Sequence, residues 1–222
     1  MFLPGPLTSA RLRGNPRRAT GELGNLRRSQ LRPMGISRSV FIKRYRMQIE
    51  LAMHLPWISE SPRESDSLVW HAWHPKLAGH HAQVKWESFR QEMDGNVFPS
   101  LASREGCRQL MRELSVKDTF VPEATWLACS SESLGKEMGV GTIQGLRSGP
   151  VHGAIQNIGV VEAWRGRGVG KELIRRALRG FYLTGCRMVT LEVTTHNFRA
   201  IELYESVGFE TIETVYKYSL GG

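Results

Sequence analysis

The sequence has little of what disulfide-linked, metal-binding and membrane-spanning proteins need. Its three cysteines, Cys107, Cys129 and Cys186, are far apart and odd in number, so they form neither a disulfide framework nor a paired metal motif. No window approaches the roughly 20 apolar residues of a membrane span. Residues 1–7 are too short, with two prolines, for the core of a signal peptide. We therefore expect a cytoplasmic protein with buried, reduced thiols and no membrane contact.

Histidines are present without the partners that a metal site requires. His71 with His74, and His80 with His81, are close in sequence, but neither pair has Cys or Glu at the spacing of known zinc sites. We expect no metal.

Acidic residues are nearly absent from the start of the chain. Residues 1–46 hold eleven Lys or Arg and one acid, Glu22, and so carry +10, whereas the rest of the chain carries −1. The net charge of +9 therefore gives no reason to expect specific nucleic-acid binding by the folded part.

Residues 1–45 combine Arg, Pro, Gly, Ser and Asn with few apolar positions, which predicts a disordered basic tail. Three explanations of this tail stay open. It is a solvated segment that reflects the choice of start codon, since Met34 and Met47 lie downstream, or an organelle-targeting segment, or an unspecific nucleic-acid-binding arm. Because the tail has no apolar face, we expect a chain that begins at Met47 to keep its fold.

The remaining chain is predicted to form a short extra strand and linker over residues 46–67 and one folded domain over residues 68–222. Period-two patterns predict strands, and helical spacing predicts helices. The first helix, after Pro75, has a buried face that is only partly apolar because it includes His81, Lys85 and Ser88. The predicted strands are 68–73, 125–129, 138–146, 152–161, 189–193 and 210–220, and the predicted helices follow Pro75, cover 103–115, and follow Gly168 and Asn197.

A glycine-rich turn, Val160–Lys171, joins an apolar strand to an amphipathic helix, which makes it a ready site for phosphate. The P-loop pattern fails, because position 165 is Arg and Lys171 is followed by Glu172. The dinucleotide pattern fails as well, because the glycines are spaced Gly-x-Gly-x-Gly. The phosphate-binding pattern that the turn does match is Arg-x-x-Gly-x-Gly.

A second pattern lies downstream, where a strand ending at Val193 is followed by Asn-x-x-Ala-x-x-x-Tyr over Asn197–Tyr204 and then by Gly208-Phe209. The two patterns in this order resemble the Gcn5-related N-acetyltransferase (GNAT) superfamily over about residues 155–209. The resemblance implies an α/β (α+β) fold with a mixed, mostly antiparallel central sheet, helices on both faces and splayed central strands. It also implies acetyl-CoA as cosubstrate without a metal, and an amine acceptor, either a small molecule or a protein N-terminus or lysine. A homodimer is compatible with it.

The resemblance also implies residue roles. Backbone groups of Val160 and Val161 are expected to bond the pantetheine arm, Asn197 to bond its amide, and Tyr204 to protonate the leaving thiolate. The expected pyrophosphate amides are those of Arg165, Gly166, Arg167, Gly168, Val169, Gly170 and Lys171. Each role has a plainer alternative: solvated arginines, a helix cap at Asn197 and a structural tyrosine.

Three matters stay open at this stage. Glu162, Glu192 and His152 are weak candidates for the general base. The chain has one strand after Tyr204, whereas the superfamily commonly ends in a two-stranded hairpin that shapes the acceptor site. The alternative function is a non-catalytic acyl-CoA-binding sensor or scaffold, although Tyr204 together with Asn197 favours the enzyme.

Overall fold

A computed structural model describes residues 39–60, 67–92, 98–131 and 138–220. In these residues a seven-stranded sheet has helices packed on both faces, which confirms the predicted fold class. The strands are β1 (Ser39–Glu50), β2 (Leu68–Ala72), β3 (Phe120–Ser130), β4 (Met138–Arg147), β5 (His152–Val160), β6 (Met188–Thr194) and β7 (Glu210–Leu220). The helices are α1 (Leu55–Ser59), α2 (Ala78–Phe89), α3 (Pro99–Ala102), α4 (Arg104–Ser115), α5 (Val169–Leu183) and α6 (Phe198–Glu205).

The sheet order is β2-β3-β4-β5-β6-β1-β7, and every neighbouring pair is antiparallel except β5 with β6. The parallel pair is short, running from His152 opposite Met188 to Ala154 opposite Thr190. Beyond it the two strands separate. Gln156 is an extra residue in the register between β4 and β5, and a bulge of this kind bends its strand. The predicted splay of the central strands is therefore present.

The N-terminal strand differs from its prediction. β1 begins at Ser39 and lies inside the sheet, between β6 and β7. Residues that were predicted as the end of the disordered tail and the start of the linker region therefore belong to the same sheet as the domain that was predicted to begin at residue 68. The sequence did not indicate the full length of this strand because several of its residues are basic. Arg44 donates to Thr194 Oγ1 at 3.0 Å and to the Glu192 carbonyl at 2.8 Å, and Arg46 pairs with Glu213. Only tertiary pairing brings these partners to β1.

A single strand follows α6, as predicted, and it has no hairpin partner after it in the described residues. β7 pairs instead along β1, from Gln48 opposite Glu210 to Ser39 opposite Leu220. The N-terminal side of the chain thus supplies the neighbour that β7 would otherwise lack.

One face of the sheet is covered by α5, which packs Leu173, Ala177 and Phe181 into the main core. The Phe181 ring lies directly on Gly153, where a Cβ atom would come within 2.6 Å of Cδ1. None of the described helices is long and apolar enough to cross a membrane.

The other face is covered by α2 through a layer of buried polar side chains. Lys85 Nζ donates to Gln144 Oε1 at 2.5 Å and to Asn157 Oδ1 at 2.7 Å. One turn earlier, His81 Nδ1 lies 2.8 Å from Thr142 Oγ1. The partly polar buried face that was predicted for this helix is confirmed, and its partners lie on β4 and β5.

Two predicted segments fall wholly or partly outside the described residues. The basic tail does so up to residue 38, and the linker does so over residues 61–66. The described part of the linker region contains α1, which the sequence did not predict.

Candidate functional site

A cleft of about 870 Å³ opens where β5 and β6 separate. Its other walls come from the end of α2, from the glycine turn with the start of α5, and from α6. The residues on its wall that were predicted as site residues are Val160, Arg165, Gly166, Gly168, Gly170, Lys171, Asn197 and Tyr204. The structure thus brings most of the predicted set to one cavity.

The glycine turn presents backbone amides to this cleft. Gly166 and Gly168 have φ of 76° and 82°, a left-handed conformation that favours glycine. Gly168 caps α5, and the first helical bond runs from Glu172 N to Gly168 O. The N–H groups of Val169, Gly170 and Lys171 therefore have no intrahelical partner, and a helix start of this kind attracts anions.

Gly170 also lets two elements approach closely. A Cβ atom at this position would lie 3.1 Å from Leu203 Cδ2 on α6. The first turn of α5 and the middle of α6 are therefore in near contact, with the cleft beside them.

The side chains of the two arginines of the turn have different surroundings. Arg165 is half-buried: it donates to the carbonyls of Val160 and Ser88 at 3.1 Å each and pairs with Glu92 at 2.7 Å. It fastens the turn to the end of α2. Arg167 is exposed and stacks over the Trp164 ring at 4.8 Å.

Val160 and Val161 differ in what their backbone offers. Val161 N donates to Val140 O at 2.9 Å, and Val161 O accepts from Trp164 N at 2.9 Å, so both groups are used within the protein. The first of these bonds makes Gly141 and Val160 a non-hydrogen-bonded pair, and the N–H of Val160 therefore points away from β4, into the gap beside β6. The N–H of Val160 therefore faces the gap, whereas the N–H and carbonyl of Val161 are hydrogen-bonded within the protein.

Asn197 and Tyr204 lie on the α6 wall. Asn197 Oδ1 accepts from Ala200 N at 3.2 Å, so the helix-cap alternative is correct for that oxygen, and the Nδ2 group remains available as a donor. Tyr204 is buried, with 7% exposure, and its ring meets Phe209 edge-on at 6.0 Å.

The three candidate bases do not line the cleft. His152 lies at the closed end of the β5–β6 pair, and Glu162 is exposed beyond β5. Burial raises the pKa of Glu192, but hydrogen bonds and charge from Lys217 and Arg46, with the charge of Arg44, outweigh it and hold that pKa below its usual range.

Sequence reasoning missed three residues on the cleft wall whose side chains are carboxylates or an imidazole, namely Glu92, His196 and Glu202. Glu92 lies just after α2, far from both motifs in sequence, and no local pattern marks it. His196 lies just before the second motif, which begins at Asn197. Glu202 lies inside that motif, at a position where the motif allows any residue. Among the described residues no group of three or more His, Cys, Asp or Glu side chains could hold a metal ion.

Unbonded amides at a helix start, beside a strand edge that is open beyond Ala154, define a class of site. Such a cleft suits an elongated ligand with a phosphate group in its middle and an arm that pairs with the strand. The chain belongs to the Acetyltransferase (GNAT) family, whose model matches residues 86–209.

Two curated relatives carry related names. The chain is 39% identical over 70 residues to an N-alpha-acetyltransferase MAK3 of Arabidopsis thaliana, a match that covers 32% of this chain and 37% of that protein. It is 36% identical over 121 residues to the N-alpha-acetyltransferase RimI of Mycobacterium tuberculosis, covering 50% of this chain and 75% of that protein.

Solved structures share the fold. A GCN5-related N-acetyltransferase from Sphaerobacter thermophilus superposes with a TM-score of 0.55 at 22% identity, over 80% of this chain and 50% of that one. The aminoglycoside N-acetyltransferase AAC(6')-Iy, solved in complex with CoA, superposes with a TM-score of 0.52 at 18% identity, over 70% of this chain and 95% of that one.

Proposed function

We propose that this protein transfers an acetyl group from acetyl-CoA to a primary amine. The observation that carries the proposal is the cleft itself. The unbonded amides at the start of α5, the Val160 N–H and Tyr204 lie around the same cavity. Family membership and the names of the relatives support it.

Each part of the coenzyme has a place in this proposal. The pyrophosphate binds the amides of Val169, Gly170 and Lys171, where the helix dipole favours negative charge. The pantetheine arm runs along the gap beside β5, pairing with the Val160 N–H and with the Nδ2 group of Asn197. The thioester then lies near Tyr204. The cleft volume of about 870 Å³ is within the range of ligand cavities.

The reaction needs positioning more than it needs a reactive side chain. The amine nitrogen attacks the carbonyl carbon, a new C–N bond forms, and the C–S bond breaks. The thiolate leaves and takes a proton from the Tyr204 hydroxyl. The proton lost by the amine passes to solvent, and the Tyr204 phenolate regains a proton from solvent before the next turnover. A phenol, with an ordinary pKa of about 10, can supply a proton to such a leaving group.

Within the class of primary amines, we propose a peptide α-amine as the acceptor. The two relatives described above are named N-alpha-acetyltransferases, which supports this choice. The chemistry supports it too, because an α-amino group has an ordinary pKa near 8 and a lysine side chain near 10.4, so more of the former is unprotonated at neutral pH. Such an acceptor makes the smallest demand on a general base.

The first test is ligand binding. Acetyl-CoA should raise the melting temperature, whereas ATP and NAD at equal concentration should not, because the turn matches neither the P-loop nor the dinucleotide pattern. Stabilisation by ATP or NAD in place of acetyl-CoA would contradict the assignment.

The second test is turnover, measured as release of free thiol from acetyl-CoA. Peptides with a free N-terminus should be acetylated, matched peptides with a blocked N-terminus and an internal lysine should react more slowly, and a panel of small amines gives the comparison. Binding of acetyl-CoA without turnover of any amine would favour the sensor function over the enzyme.

A further inference from the structure

A second cavity adjoins the cleft at the start of α5. It has a volume of about 330 Å³ and shares Lys171 and Ser206 with the cleft. Its outer wall comes from residues between β1 and β2, which contribute His54 and Trp57. Neither sequence motif includes these two residues.

The segment that carries Trp57 is anchored on both sides. Leu51 and Ile58 are fully buried in the main core. Arg175 on α5 donates to the Glu60 carbonyl at 2.6 Å, just after α1. The His54 ring lies against Gly208, where a Cβ atom would overlap it. The aromatic wall of this cavity is therefore held by the fold and does not depend on a ligand to order it.

We infer that this cavity takes the nucleotide end of the coenzyme, with the adenine ring against Trp57 and its 3′-phosphate beside Lys171. The inference rests on the proposed function, in which the pyrophosphate binds the first turn of α5. From there the acyl arm extends toward Val160 and Tyr204, which line the cleft alone. The nucleotide arm must leave in another direction, and the second cavity opens there, at Lys171.

The chemistry of the lining matches this ligand. A tryptophan offers a stacking surface for a purine, and stacking of this kind is sequence-independent because every base has a π face. Lys171 offers a positive charge within the same cavity. Glu205 is the one acidic residue among the described residues that line this cavity. Its negative charge would repel a phosphate more strongly than an adenine ring, so the phosphate is placed on the Lys171 side.

Calorimetry with two ligands tests the inference. Acetyl-CoA carries the nucleotide, and acetyl-4′-phosphopantetheine lacks it. The native protein should bind acetyl-CoA more tightly. Trp57→Ala should lower the affinity for acetyl-CoA by roughly 5- to 150-fold, the range expected for loss of one base stack, and leave the affinity for acetyl-4′-phosphopantetheine unchanged. Trp57→Phe, which keeps a ring, should restore most of the loss.

The controls separate this inference from its premise. Met53→Ala changes an exposed residue of the same segment outside the cavity and should bind both ligands as the native protein does. Equal affinity of the native protein for the two ligands, or an equal loss for both ligands in Trp57→Ala, would overturn the nucleotide subsite and leave the proposed function standing. Failure of the native protein to bind either ligand would overturn the proposed function itself.

Discussion

The amine of Lys85 lies 2.7 Å from Asn157 Oδ1, inside the protein, with no exposed surface. Its other partner, Gln144, is also a neutral amide, so the lysine is held without a carboxylate among its hydrogen-bond partners. Burial lowers the pKa of Lys85 to about 7, and burial together with the charge of Lys85 lowers the pKa of neighbouring His81 to about 3. Cys107 is the other titratable group beside this lysine, and burial raises the pKa of its thiol.

The stability of the protein should therefore rise with pH above neutrality. Between pH 7 and the ordinary lysine pKa near 10.4, the unfolded chain holds a proton on Lys85 that the folded chain has lost, so stability increases by at most about 1.4 kcal/mol per pH unit. Urea unfolding at pH 7, 8 and 9 measures this slope. Lys85→Met keeps the aliphatic stem and should flatten it, whereas Lys76→Met, an exposed lysine before α2, should not. An unchanged slope in Lys85→Met would mean that the buried amine keeps its proton.

The position of β1 predicts a sharp difference between two start sites. A chain that begins at Met34 keeps all of β1, whereas one that begins at Met47 loses Ser39–Arg46, which pair with both β6 and β7. This loss removes the buried Ile42 and Arg44 and most of the strand that joins β6 to β7. The longer chain should show cooperative thermal unfolding, and the shorter one should lose it or aggregate. From the sequence, the shorter chain was expected to keep its fold, and cooperative melting of the shorter chain would restore that expectation.

Substitution of two glycines with the same backbone conformation distinguishes an effect on stability from an effect on ligand binding. Gly168 and Gly185 have φ of 82° and 84°, and a Cβ atom at either would meet open space. Alanine at each should cost about 1–2 kcal/mol of unfolding free energy through backbone strain. Only Gly168→Ala should also weaken acetyl-CoA binding, by roughly 10- to 150-fold for one lost charge-assisted hydrogen bond of about 1.5–3 kcal/mol. Equal acetyl-CoA affinities of the two variants would exclude the turn as the phosphate site.

Replacement of Tyr204 tests its place in the reaction. Tyr204→Phe keeps the edge contact with Phe209 and removes the hydroxyl, so acetyl-CoA affinity should barely change. The rate should fall by about 100- to 10,000-fold in both kcat and kcat/KM, as expected for a lost general acid. The measurement requires a peptide acceptor and a chemical step that limits turnover. If more than about half of the rate remains, water or another residue protonates the thiolate.

Features set by neighbours in sequence could be predicted from the sequence. The glycine turn, the helix start at Val169 and the Asn197 cap depend on residues within a few positions of one another, and they lie where they were expected. The order of secondary structure from residue 68 onward is also mostly local, and the splay was implied by the family resemblance.

Features that depend on residues far apart in the chain could not be predicted from the sequence. The side-chain partners of Arg165 could not be predicted because two of them, Ser88 and Glu92, lie more than 70 residues earlier in the chain. The partners of Lys85 lie 59 and 72 residues away, although its place on a buried face was predicted. Tertiary pairing outweighs local pattern at each of these positions.

The location of β1 also has a consequence for how the chain assembles. Arg44 and its partner Thr194 are 150 residues apart, and the strand on the other side of β1 is further still along the chain. During synthesis β1 emerges before both of its neighbours, so the part of the sheet that carries β6, β1 and β7 closes only after β7 has been synthesised. Contacts of such high sequence separation slow folding, because the entropy of a long loop is lost before the contacts are gained. Until then the apolar side of β1 remains available to other chains, and co-translational chaperones should matter more for this protein than for one whose sheet is built from consecutive strands.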